Sequence, residues 1–204
     1  MRNPKQGAPI ILILIILTIF AIFLYNSNKI TGQIINQGSE EMIIVPVKIH
    51  VIEDFSRVYS SNRDEENIFQ VFKEVNKIWQ QANIYFQIEE IVLTKVDSRT
   101  ISNTINGNPI GLYDHENFDK ERINVFFTKN LNGINGLAIS RINSIFVSDH
   151  TTVKDYRATA HEFGHIFSLK HVPPINRLMA QGRNGEILNM EEIEIARENT
   201  NNFI

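Results

Sequence analysis

Between residues 64 and 82 the apolar side chains recur at helical spacing. Ile68, Val71, Phe72, Val75, Ile78, Trp79 and Ala82 share one face of a helix, and residues 61–64 supply capping candidates. Upstream the period changes to two. Val45, Val47, Ile49 and Val51 alternate with Pro46, Lys48 and His50, which predicts a strand over 43–52 with Pro46 near its start or at an edge. Further strands are expected over 85–96, 123–128 and 144–148. An edge strand is expected over 137–140, after the turn framed by Gly133 and Gly136. Residues 97–110 carry Asn103, Asn106, Gly107, Asn108 and Pro109 and predict a loop, followed by a short helix over 115–121. Thr152 with Asp155 three later signals a helix over 153–167. Asn189 with Glu192 makes a capping box, with Leu188 and Ile193 as its hydrophobic staple, and starts a last helix over 190–199. The order predicts an α+β domain with helices packed on a mixed sheet.

The first 25 residues follow neither period. Residues 8–25 form an apolar run broken only by Pro9 and Thr18, behind Arg2 and Lys5. Such a run suits a transmembrane helix, and Pro9 at its start costs no hydrogen bond. No small-x-small cleavage site follows, so a retained signal-anchor is expected, with the basic end in the cytoplasm and the rest exported to the periplasm or the cell exterior. Cleavage would make the product secreted. Residues 26–41 are polar and form a tether, which leaves 42–204 as the folded domain.

Composition narrows the classes. Of 204 residues, 43% are hydrophobic and 21% charged, so a packed core is expected. A net charge of −3 gives no basis for nucleic-acid binding. The chain has no cysteine, which excludes disulfides, thiolate metal sites and a cysteine nucleophile. Oligomeric state is not encoded legibly.

The chemistry gathers at 161–171, His-Glu-Phe-Gly-His-Ile-Phe-Ser-Leu-Lys-His. His161 and His165, four apart on a helix, point the same way, and His171 follows six residues later. Three neutral imidazoles suit Zn²⁺ and leave a fourth position for water. Glu162, beside the first ligand, is placed to take a proton from that water. His50, His115 and His150 have no ligand spacing and are assigned to surface or strand positions. A glutamate from 191–194 could replace the third histidine, but His171 makes that unnecessary.

This segment resembles the metzincin signature, His-Glu-x-x-His-x-x-Gly-x-x-His followed by a methionine turn. The match runs through His161, Glu162, His165 and His171, with Met179 as the turn methionine, and the resemblance extends over about 43–200. It implies a zincin-like, mostly parallel sheet with an antiparallel edge strand, an active-site helix and a small C-terminal helical subdomain. It further implies a zinc endopeptidase acting on peptides or proteins, with Glu162 as general base and Gly136, Leu137 and Ala138 pairing with an extended substrate. The likeness is greatest to the reprolysin-like and matrixin-like groups. Ser168 stands where the family has glycine, and a left-handed conformation there would cost roughly 1 kcal/mol. The other reading is an inactive, membrane-anchored zinc-binding module that presents a peptide groove.

Overall fold

A computed structural model describes residues 41–203. The expected transmembrane segment (1–25) and nearly all of the tether (26–41) lie outside the described residues. Among the described residues, no helix is long and apolar enough to cross a membrane.

Five strands form one sheet: β1 (Ile43–Asp54), β2 (Ile84–Val96), β3 (Ile123–Thr128), β4 (Gly136–Ile139) and β5 (Ser144–Ser148), in the order β2-β1-β3-β5-β4. β1 pairs with β2 and β3, and β3 with β5, all parallel; β4 alone runs antiparallel, on β5, at the edge. The mostly parallel sheet with an antiparallel edge strand is thus present. Pro46 pairs only toward β2, because pairing with β3 starts at Val47. Its missing N–H therefore falls where β1 has one neighbour.

Parallel strands need cover on both faces. On one face Val45, Val47, Ile49, Val125, Phe127, Ile145 and Val147 meet the amphipathic helix α1 (Glu65–Trp79) and the helix α4 (Asp155–Ile166). On the other face Ile52, Phe126 and Phe146 meet Ile101 and Leu112. Those two residues belong to α2 (Ser98–Ile105) and α3 (Ile110–Tyr113). The loop expected over 97–110 is therefore helical over 98–105 and remains a loop over 106–109; the helix is started by Asp97, whose carboxylate accepts from the Thr100 N–H at 2.9 Å. The helix expected over 115–121 is instead a run of turns, held where Asp119 accepts from the N–H groups of Glu121 and Arg122.

α1 keeps its expected apolar face, capped by Asp64 on the Asn67 N–H at 2.8 Å. α5 (Met190–Thr200) has the complete capping box of Asn189 and Glu192. α4 does not use its expected cap. The Thr152 hydroxyl turns to Asn135 at 3.1 Å, and the helix begins after Lys154 with no side-chain cap. Arg63, paired with both Asp149 (3.0 Å) and Asp155 (2.8 Å), braces that uncapped first turn instead.

His50 is not at the surface. It is fully buried in β1 and stacked 4.2 Å from the Phe126 ring. Asn124 gives its amide nitrogen to the Asp119 carbonyl, so its oxygen accepts from His50 Nε2 at 2.9 Å. His50 Nδ1 is then the acceptor for the Thr94 hydroxyl at 2.8 Å. Burial drives its pKa down from 6.5 to about 4, against the hydrogen bond to Asn124. The unfolded chain binds this proton first, so stability contributed here is complete above pH 6.5 and falls as pH drops toward 4. Denaturant titrations at pH 7 and pH 4.5 should show a smaller acid loss in His50→Gln than in the parent, by about 2 kcal/mol. An unchanged acid loss would refute the neutral buried state.

Candidate metal centre

α4 brings His161 and His165 to one side, and a sharp turn returns His171 to them. The turn has the two bonds of a Schellman cap: Leu169 N–H to the Gly164 carbonyl at 2.8 Å and Ser168 N–H to the His165 carbonyl at 3.1 Å. Ser168 has φ +68, the left-handed region anticipated for that position. Ser168→Gly should relieve this strain and raise stability by about 1 kcal/mol, seen as a Tm increase of roughly 2–4 °C. A lower Tm would show that the Ser168 hydroxyl contact with Asn199, at 3.3 Å, outweighs the strain.

The three imidazoles converge. His171 Nε2 lies 3.1 Å from Nε2 of His161 and 3.1 Å from Nε2 of His165. Among the described residues these three form a group able to hold a metal ion. His161 Nδ1 donates to the Leu178 carbonyl at 2.8 Å, and His165 Nδ1 to the Leu169 carbonyl at 2.9 Å. A carbonyl can only accept, so both Nδ1 atoms carry the proton and both Nε2 atoms offer a lone pair. Two lone pairs then face His171 Nε2, which has at most one proton to give. A cation between the three resolves the conflict. Ligand nitrogens about 2.0–2.1 Å from a tetrahedral Zn²⁺ stand roughly 3.3 Å apart, close to the spacing found, so this donor set fits Zn²⁺.

Burial pushes the His161 pKa down to about 3, and the same cause lowers that of His165. Both favour the neutral, metal-ready form. Burial also pushes the Glu162 carboxyl up to about 8, opposed by a hydrogen bond from the Ala138 N–H and by the charge of Arg157. A divalent cation at the histidines would draw it back toward the carboxylate.

Met179 is fully buried. A Cβ on Gly164, between His161 and His165 on α4, would come within 2.5 Å of its sulfur. The Met179 carbonyl accepts from the Val172 N–H at 3.1 Å, tying the chain after His171 to the Met179 segment. Glu192 lies elsewhere, bonded to Arg177 and the Asn189 N–H, so it is not a ligand.

A cleft of about 480 Å³ opens over the histidines and is lined by Gly136, Leu137 and Ala138 of β4. All the expected site residues except buried Met179 thus line one space. A Cβ on Gly136 would lie 2.7 Å from Glu162 Cγ and 2.8 Å from its Oε1. Gly136→Ala should therefore displace the carboxylate and lower kcat about tenfold or more while zinc content stays the same. Unchanged kcat would show that Glu162 has room to move without consequence. Sequence reasoning missed Arg157, which also lines the cleft. Its Nη2 donates to the Leu178 and Ala180 carbonyls and its Nε to Gly185 at 3.2 Å. Leu178, the carbonyl that orients His161, is thus held by Arg157 as well.

No family model and no curated protein sequence matches the chain. Solved structures do. Archaemetzincin from Methanopyrus kandleri aligns with a TM-score of 0.53 at 15% identity, over 80% of this chain and 99% of that one. Mature mirolysin from Tannerella forsythia, solved in complex with a cleaved peptide, aligns at 0.51 and 14% identity, over 78% of this chain and 91% of that one. Metalloproteinase-II from Bacteroides fragilis aligns at 0.50 and 12% identity over 78% of this chain, which spans only 54% of that protein. The chain shares the fold of these proteins, a fold that metalloproteinases use.

Proposed function

We propose that the domain is a zinc-dependent endopeptidase of the metzincin type. The observation that carries this reading is the convergence of three Nε2 atoms beside a buried glutamate that lines the same cleft as a free sheet edge. His161, His165 and His171 would hold Zn²⁺, and Met179 would serve as the structural methionine of the site. When bound, the ion supplies a Lewis acid that lowers the pKa of a water to about 7 and polarises the scissile carbonyl. The substrate lies extended along β4, whose outer edge has no strand neighbour among the described residues, and pairs with it by strand addition. Glu162 takes the proton from the attacking water and delivers it to the leaving amine.

The mirolysin structure with its cleaved peptide supports a peptide as substrate class. Residues 8–25 anchor the enzyme in a membrane and 26–41 let the domain reach substrates on the exported side. Elemental analysis of the full chain, joined to a peptide-library assay, tests the reading. One equivalent of zinc and cleavage sensitive to a chelator are expected. Absence of zinc would overturn the site, and failure to fractionate with membranes would overturn the anchor.

A further inference from the structure

We propose that the cleft selects a substrate carboxylate and that Arg157 receives it. The inference rests on the peptidase reading and names its substrate class. Arg157 lies one turn before His161 on α4, is 2% exposed, and is among the residues that line the cleft. Its Nε and Nη2 are spent on the carbonyls of Gly185, Leu178 and Ala180, and Nη1 makes no hydrogen bond to any described residue. Those partners are neutral, so the buried charge has no bonded counter-ion. Two carboxylates bear on it through space, Glu162 and Glu186. Glu186 is committed to Lys154 at 3.3 Å and to the Tyr156 hydroxyl at 3.1 Å. Glu162 serves as the base.

A buried guanidinium without a carboxylate carries an uncompensated desolvation cost, and its free Nη1 is a charged donor that a carboxylate accepts more strongly than any neutral peptide group. A substrate that brings its own carboxylate completes the pair. The surroundings have the same sign. An adjoining hollow of about 380 Å³ shares His171 and Gln181 with the cleft and adds Arg183, which has no ion pair among the described residues. Among the described residues lining the two hollows, Glu162 alone is acidic. The carboxylate can come from an Asp or Glu side chain or from the C-terminus of the peptide.

The test uses the full chain loaded with zinc and matched peptides carrying Asp or Asn, and Glu or Gln, at each position around the scissile bond. A second pair of arms has the C-terminus free or amidated. We expect kcat/KM at least tenfold higher for the acidic member of one pair. A preference confined to the free C-terminus would assign the carboxylate to the chain end rather than to a side chain. The same peptides, binding to the Glu162→Gln protein, report the preference even if the parent does not cut. Loss of all cleavage with an acidic preference intact in binding would sink the peptidase reading alone. Cleavage or binding indifferent to the carboxylate would sink this inference alone. Arg157→Lys keeps the charge without the three carbonyl bonds that fix the donor and should reduce the discrimination, whereas Arg157→Gln should abolish it. Their Tm values and zinc contents separate a lost preference from a lost fold or a lost metal, since Arg157 also holds the Leu178 carbonyl that orients His161.

Discussion

Glu162→Gln is expected to bind zinc as the parent does and to lose peptide cleavage by roughly 10²–10⁴-fold in kcat. The metal is held through Nε2 of His161, His165 and His171, and Glu162 contributes no atom to that group. The amide of glutamine fills the same space, so the close packing beside Gly136 persists. What disappears is the capacity to accept a proton. The split matters because other lesions move both quantities together: a ligand substitution removes the metal, and a packing defect loosens it. Zinc titration with a competing chelator and single-turnover cleavage, run on the same sample, separate the cases. Retained cleavage would reject Glu162 as base. A parent protein that binds zinc and peptide but never cuts would favour the inactive groove-presenting module.

Much of this site is local in sequence, which is why it was legible there. His161, Glu162 and His165 need only a helix, and His171 needs only a turn at Ser168. The apolar period of α1 and the capping box of α5 likewise appear where the pattern places them, because each is decided within a few residues. The failures share one cause. α2 and α3 are too short to show a period, and they become helical because the second face of a parallel sheet must be covered by Ile101 and Leu112. Thr152 was a plausible cap until Asn135, 17 residues earlier in the chain, offered its hydroxyl a better partner. His50 does lie in a strand, one of its two assigned placements, but its full burial was not legible because β1 is interior and its polar partners come from Thr94 and Asn124. Arg157 is the most consequential omission. Nothing within one turn marks it, since its acceptors lie 21 to 28 residues downstream.

Those acceptors point to the second large effect. Gly185→Ala is expected to destabilise the domain by about 3 kcal/mol or more and to weaken zinc binding roughly 10–100-fold, although Gly185 touches no ligand. A Cβ there would lie 2.3 Å from the Asn176 carbonyl carbon and 2.6 Å from both the nitrogen and the oxygen of Arg177. All of these are backbone atoms, so no side chain can rotate away. The two strands of chain that meet here are joined by Leu178 N–H to the Ile187 carbonyl at 2.9 Å and Ile187 N–H to the Asn176 carbonyl at 3.2 Å. Forcing them apart strains both bonds, shifts the Gly185 carbonyl away from Arg157, and moves Leu178, whose carbonyl fixes the tautomer of His161. Met179 follows Leu178 and moves with it. Gly107→Ala provides the comparison: φ is +92 but nothing lies within 4 Å, so only the backbone cost of about 1 kcal/mol applies and zinc affinity should be untouched. Thermal unfolding and chelator competition on the two variants distinguish a general glycine effect from one transmitted to the metal. Equal zinc affinity in both would show that the His161–Leu178 bond does not set ligand geometry.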